Sequence, residues 1–272
     1  MNVNNIAITS IESITAFDAV SGAYRFTLDE LQNATLSQSQ ETTDITGSAG
    51  RKLSSLKRNK SVTISGTNGM VSSGLLEVQT GNSFESKNTT IMWNEVRRVT
   101  TYRVGSMSEN RSYTTYVAVG TEGSEIENLF ILNSDGSIGA KLIQNSEVTA
   151  ENEFTYDPET RKIVLHSSIA DGANIVVYYT REIAADVLTN TSDAFSGKLT
   201  LYVDMFGEDK CANLYRIQVY IPKADFSGEF SFEMGDNQTV HSFEAQALAG
   251  ACGAGGNLWS YIVFGADEAD AQ

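Results

Sequence analysis

The chain is poor in the residues that build most chemical sites. Of 272 residues only two are cysteines, Cys211 and Cys252. That is too few for a disulfide framework and lacks the CxxC spacing of a zinc or redox centre, so both read as free thiols. Two histidines, His166 and His241, stand outside any HxH or HExxH spacing and read as packed or surface residues. The glycine-rich "GAGGN" lacks a P-loop lysine and precedes a strand, which makes it a loop and not a phosphate cradle. No apolar run approaches the roughly 20 residues of a membrane span, and the densest, "NIVVYYT" from Asn174 to Thr180, has strand length. The start "MNVNNIAITSIESITAF" has neither a basic n-region nor a continuous apolar h-region, so no secretory signal is read and synthesis is expected in the cytosol. Basic residues are scarce as well: 19 Lys and Arg face 34 Asp and Glu, a net charge of −15. Such a body repels phosphates, which argues against ordinary nucleic-acid binding.

What is present is enough to fold. Hydrophobic residues make up 41% and charged residues 19%, values of a globular chain with a core. Period-two alternation dominates. Tyr24, Phe26 and Leu28 alternate with Arg25 and Thr27. Leu199, Leu201, Val203 and Met205, then Tyr215, Ile217, Val219 and Ile221, then Phe230, Phe232 and Met234 do the same with polar neighbours. These predict half-buried antiparallel strands, with Pro222 as a stop after the second of that group. "GMVSSGLLEVQTG" predicts a short helix using Met70, Val71, Leu75 and Val78, ended by Gly81. Between Glu85 and Arg181 the strand candidates are "IMWNEVRRVTTYRV", "YTTYVAVG", "NLFILNSDGSIGAKLI", "NEFTYDPETRKIVLH" and "NIVVYYT", with SDG and DPET as tight turns. "NSDGS" lacks the bidentate Glu of a calcium loop. Glu229 and Glu233 read as solvated charges opposite Phe230 and Phe232, and not as a glycosidase pair.

One stretch departs from the acidic whole. "GSAGRKLSSLKRNK", Gly47 to Lys60, puts Arg51, Lys52, Lys57, Arg58 and Lys60 into ten residues, leaving −20 on the rest of the chain. It lies between Thr- and Ser-rich segments, with Val62 and Ile64 alternating against Thr63 and Ser65. The expectation is a hairpin with a long, polar, mobile basic tip.

The order of these parts resembles the major tail tube proteins of tailed bacteriophages over roughly the whole chain. It runs from the basic-tipped hairpin through "SVTISGT", a short helix, and the inserted strands ending "FTYDPETRKIVLHSSIADGANIVVYYTREI", to "SGKLTLYVDMFGEDK" and "IPKADFSGEFSFEMGDNQTVHSFEAQAL", the most specific element. The resemblance implies a mainly β subunit: an antiparallel β-sandwich or barrel with a short flanking helix, a long hairpin arm and a small inserted β-domain. It implies hexameric rings stacked into a tube whose lumen conducts phage DNA without specific binding. It also implies partners among other phage tail proteins, a place in the virion tail after synthesis in the bacterial cytoplasm, no membrane, and no catalytic residue, cofactor or metal. In that family the hairpin reaches the adjoining ring, so Arg51, Lys52, Leu53, Leu56, Lys57, Arg58 and Lys60 are the implied inter-ring contact. Residues 1–85 and 185–272 are then expected to form one split domain. The departure is 86–184, absent from the minimal tube fold and expected as an outward decoration or, second, as a lengthened ring contact. The alternative class is a receptor- or carbohydrate-binding β-module of a virion or cell-surface fibre, for which Trp93, Tyr102, Tyr113 and Tyr116 could supply exposed aromatics. A head protein lacks support because no long capsid-type helix is visible, and an enzyme is the least favoured class.

Overall fold

Period-two alternation becomes strand almost everywhere it occurs. The structure, a computed structural model described for residues 5–233, 240–249 and 256–265, is mainly β with antiparallel sheets and one short helix. The chain forms two units, Met1–Phe84 with Leu188–Gln272, and Glu85–Val187. Met234, Cys252, most of the glycine-rich loop and the acidic tail lie outside the described residues. No helix among the described residues is long and apolar enough to cross a membrane.

In the first unit β1 (Ala7–Asp18) and β2 (Tyr24–Leu28) form a hairpin. Its turn is fixed by Asp18, whose carboxylate accepts from the Val20 and Ser21 amides and from Arg25. Next come β3 (Leu31–Thr46) and β4 (Lys52–Asn68), joined by a 3-10 turn at Ser48–Gly50, and then α1 (Ser73–Thr80). The helix starts where the Ser72 side chain caps the Leu75 amide. It ends at Gly81, whose φ of 74° closes the last turn as its backbone N–H donates a hydrogen bond to Glu77 O. Leu75 and Val78 are buried, but Met70 and Val71 are exposed and precede the helix. The helical spacing assigned to those two is therefore corrected: the Ser72 cap starts the helix after them.

The second unit holds β5 (Glu85–Arg98), β6 (Thr100–Val104), β7 (Met107–Tyr113), β8 (Asn128–Leu132), β9 (Ile138–Gln144), β10 (Glu153–Asp157), β11 (Lys162–Leu165) and β12 (Asn174–Val187). They form one sheet in the order β5-β12-β8-β9-β10-β11-β7-β6, around a core that includes Leu129, Phe154, Ile163, Ile175 and Tyr179. The SDG and DPET turns form as expected, with Asp135 and Asp157 accepting from the amides of Ser137 and Glu159. "YTTYVAVG" leaves the strand pattern after Tyr113. Its amides go instead to the Glu95 carboxylate from Thr115, to Tyr156 Oη from Ala118 and to Thr180 O from Val119, so they meet scattered side-chain and backbone acceptors and not a ladder.

Back in the first unit, β13 (Lys198–Glu208), β14 (Leu214–Phe226), β15 (Phe232–Glu233), β16 (Val240–Ala247) and β17 (Ser260–Gly265) complete a sheet. Its path is β2-β1-β13-β14-β16-β4-β3, with β15 beside β16 and β17 beside β14. Strand β14 changes partner along its length: Tyr215–Tyr220 pairs with β17, and Ala224–Phe226 with β16. The alternating residues Leu199, Leu201, Val203, Ile217, Val219 and Ile221 are all buried in the core. Pro222 does not stop β14. It sits inside, at a bulge where the register steps from Leu201↔Ile221 to Leu199↔Ala224, and its carbonyl accepts from Thr200 Oγ1 at 3.0 Å. A bulge needs no ladder amide, so proline is tolerated.

Phe230 and Phe232, expected on the buried face of one alternating strand, do not enter the core, and only Phe232 lies on a strand. They are half-buried and pack on the His241 ring, with centroids 5.9 and 4.8 Å away. His241 itself is fully buried between β16 and the helix. Its Nε2 donates to Gln79 Oε1 at 2.7 Å while Nδ1 accepts the Ser72 amide, a neutral arrangement, and burial holds its pKa below the ordinary value.

Candidate assembly surface

The β3–β4 hairpin is one continuous ribbon. Its root belongs to the core: Val62 and Ile64 are buried, and Ala34 and Leu36 pack against them. From Ser39↔Ser61 outward the ladder continues to Thr46↔Lys52, although every residue from Arg51 to Lys60 is exposed. The expected long loop is thus corrected. Arg51 ends the turn, and Lys52, Leu53, Leu56, Lys57, Arg58 and Lys60 all lie on strand β4. The Ser- and Thr-rich composition of both strands explains why: β-branched and small polar residues suit a ribbon with water on both faces.

Two local devices shape the ribbon. At Asn59, φ is 49° and β4 carries an extra residue against β3, while the Asn59 side chain donates to Glu41 Oε2 at 2.6 Å. This bulge exchanges the faces of β4 beyond it. Leu56 therefore sits opposite Thr43 and shares a face with Ile45. At the tip, Leu53 lies against Gly47, where an added Cβ would stand 2.9 Å from Leu53 Cδ1. A side chain at 47 would push the exposed end of Leu53 aside. Even so, Ile45, Leu53 and Leu56 remain 48%, 60% and 39% exposed.

The charge of the arm is smaller than a count of cations suggests. Asp44 bonds Lys52 Nζ at 2.6 Å and accepts from Ser55 Oγ at 3.0 Å. With Glu41 and Asp44 included, residues 41–60 carry five cations and two carboxylates, a net +3. Arg51, Lys57, Arg58 and Lys60 make no ion pair among the described residues. The two acids were visible in the sequence, but only the hairpin register brings Asp44 opposite Ser55 and within reach of Lys52.

The aromatic residues of the second unit do not form one platform. Trp93 and Tyr116 meet edge to face at 5.8 Å, and the Arg181 guanidinium lies over both rings, 4.4 and 3.5 Å from their centroids. Tyr102 and Tyr113 form a separate pair with Arg111 over Tyr102. The ring faces at Trp93 and Tyr116 are engaged by a cation of the same chain. Beside them Glu95 accepts from Tyr179 Oη and Thr115 and pairs with Arg97. Burial raises the Glu95 pKa, yet those hydrogen bonds and the Arg97 charge outweigh it and hold the carboxyl below its ordinary value. The same pairing and burial push Tyr179 up. His166, the other histidine, takes part in a local turn with Ser168. Cys211 is an exposed free thiol, and no three His, Cys, Asp or Glu side chains among the described residues converge as a metal shell.

A mainly antiparallel subunit that holds the outer part of a ribbon, Ser39 to Lys60, clear of its own core, with uncovered apolar and cationic side chains at the end, has the form of a structural protein. The chain belongs to the YomU/Tube protein family, whose model matches residues 6–260. It is thereby a phage tail tube structural protein, a component of the virion tail. Among curated proteins, none matches the chain.

Proposed function

We propose that this chain is the major tail tube subunit: six copies close a ring, rings stack head to tail, and the lumen conducts phage DNA during ejection. The observation that carries the reading is the exposed β3–β4 ribbon. A contact between two different patches of one protein grows into a filament unless it closes, and a cationic arm on an acidic body provides two such patches. Each exposed ion pair contributes only about 0.2–1 kcal/mol, but six arms repeat the contact at every junction. The acidic remainder suits a lumen along which DNA slides without adhering. Residues 86–184 decorate the outside of the tube in this reading, and Glu85–Val187 is compatible with such a role because it has its own core.

Negative-stain microscopy of the purified protein tests the proposal. Hollow tubes with six-fold end views are the expected result. Replacing Arg51, Lys57, Arg58 and Lys60 by Glu should leave circular dichroism unchanged and abolish tubes. Lys52 is left in place because it already pairs with Asp44. Normal tubes from the four-fold variant, or stable monomers retained on glycans, would overturn the reading.

A further inference from the structure

We propose that an apolar cavity at the root of the arm is the socket for the arm tip of another copy of this chain. The inference rests on the stacking role of the arm and specifies where the arm lands. The cavity, about 320 Å³, is lined by Ile8, Ile11, Ala34, Leu36, Trp259 and Tyr261, and core side chains of β4, β13 and β14 close its floor. It opens at a gap in the ladders: among the described residues β1 and β3 do not pair with each other, and β17 pairs with β14 alone. Trp259 spans this gap, held by a hydrogen bond from Nε1 to Gln38 Oε1 at 3.1 Å. Ile8 and Tyr261 stand about half exposed at the rim.

An apolar cavity of about 150 Å³ holds a benzene molecule, so this one has room for two leucine-sized side chains. The arm tip offers such side chains in Leu53, Leu56 and Ile45, all uncovered. The chain's own arm cannot supply them. Leu36 at the socket and Ile45 near the tip are nine residues apart on one paired ribbon, about 30 Å at ~3.3 Å per residue, and a ladder paired from Leu31 to Thr46 does not fold back on its root. With knob and socket at opposite ends of the ribbon and the chain's own tip out of reach, a tip seated in the socket comes from a second copy and makes a head-to-tail contact. Where the ribbon runs along the filament axis, that contact advances each step by about 30 Å.

The test uses the full chain with Cys211→Ser and Cys252→Ser, carrying Leu53→Cys and Tyr261→Cys together. Oxidation of assembled material should give a ladder of covalent oligomers on non-reducing gels, while dispersed chains give none. Ala34→Phe, which fills the cavity from within, should melt near the parent and raise the critical concentration for tube formation at least ten-fold. Leu53→Asp should do the same from the knob side. Tubes that stack normally in Ala34→Phe and never cross-link would refute the socket while leaving stacking intact. Failure of the parent chain to stack at all would refute the stacking role and the socket with it. Should Ala34→Phe misfold, the cross-link alone decides.

Discussion

Removal of the second unit is the most informative perturbation, because its expected magnitude follows from the strand register. Glu85 and Val187 are paired at the base of the β5–β12 ladder, so while this unit is folded its two ends are held about 5 Å apart. To the first unit, an insertion of 103 residues from Glu85 to Val187 then behaves as a short loop. Replacing 86–186 by Gly-Gly leaves a loop of about four residues, so calorimetry should place the first unit's transition within about 3 °C of its position in the full chain. Unfolding the insertion in place should differ. Closure of a flexible loop costs (3/2)RT ln n, and lengthening it from about 4 to 103 residues costs about 3 kcal/mol. For a unit of about 170 residues that corresponds to roughly 6–12 °C. Leu129, Phe154 and Ile163 are fully buried in the second unit, and truncating all three to Ala removes about 8–12 kcal/mol, comparable to the stability of a typical domain. The triple variant should therefore melt its first unit about 6–12 °C below the deletion variant. A deletion variant that fails to fold, or a triple variant that melts level with it, would refute the reasoning that the two units are coupled only through loop closure.

Other outcomes follow from single sites. Leu201→Ala, at a fully buried position, should cost about 2–5 kcal/mol in urea titration, whereas Phe232→Ala, half-buried on His241, should cost distinctly less; equal losses would contradict the burial difference. Because the folded pKa of His241 lies below its ordinary 6.5, the unfolded chain binds more protons between the two values. Stability should be full above pH 6.5 and fall as pH drops through the folded pKa, and His241→Gln should flatten that limb in pH-dependent urea midpoints. The loss from Asp18 and from Glu153, whose backbone and side-chain hydrogen bonds hold it at about 2, begins only near their ordinary values of 3.8 and 4.5, so a decline that starts at pH 6.5 is that of His241. Gly81→Ala places a Cβ 2.2 Å from Phe195 O at a φ of 74°, and thermal melting should show a loss above 1 kcal/mol.

The sequence by itself determined the class of fold and most of the first unit's core. Leu199, Leu201, Val203, Ile217 and Val219 alternate with polar neighbours and are buried as that period requires, since side chains on a strand point to opposite faces in turn. Ser72 and Gly81 set the ends of the helix through bonds made within a few residues. The order of these local signals also carried the family resemblance. Tertiary structure decided whatever depended on a distant partner. Strand β7 escaped notice because its buried face is Asn110 and Ser112, polar residues turned inward to meet groups such as the Ile169 carbonyl, 59 residues away. "YTTYVAVG" had a strand's alternation but found scattered side-chain and backbone acceptors in place of a ladder. The basic stretch looked like a loop in sequence, yet a register with β3 drew it into a ribbon and brought Lys52 to Asp44. The apolar cavity has no sequence signature at all. It exists because β1, β3 and β17, which line it, form no ladder with one another, and an unfilled space is a property of how elements meet and not of any residue along the chain.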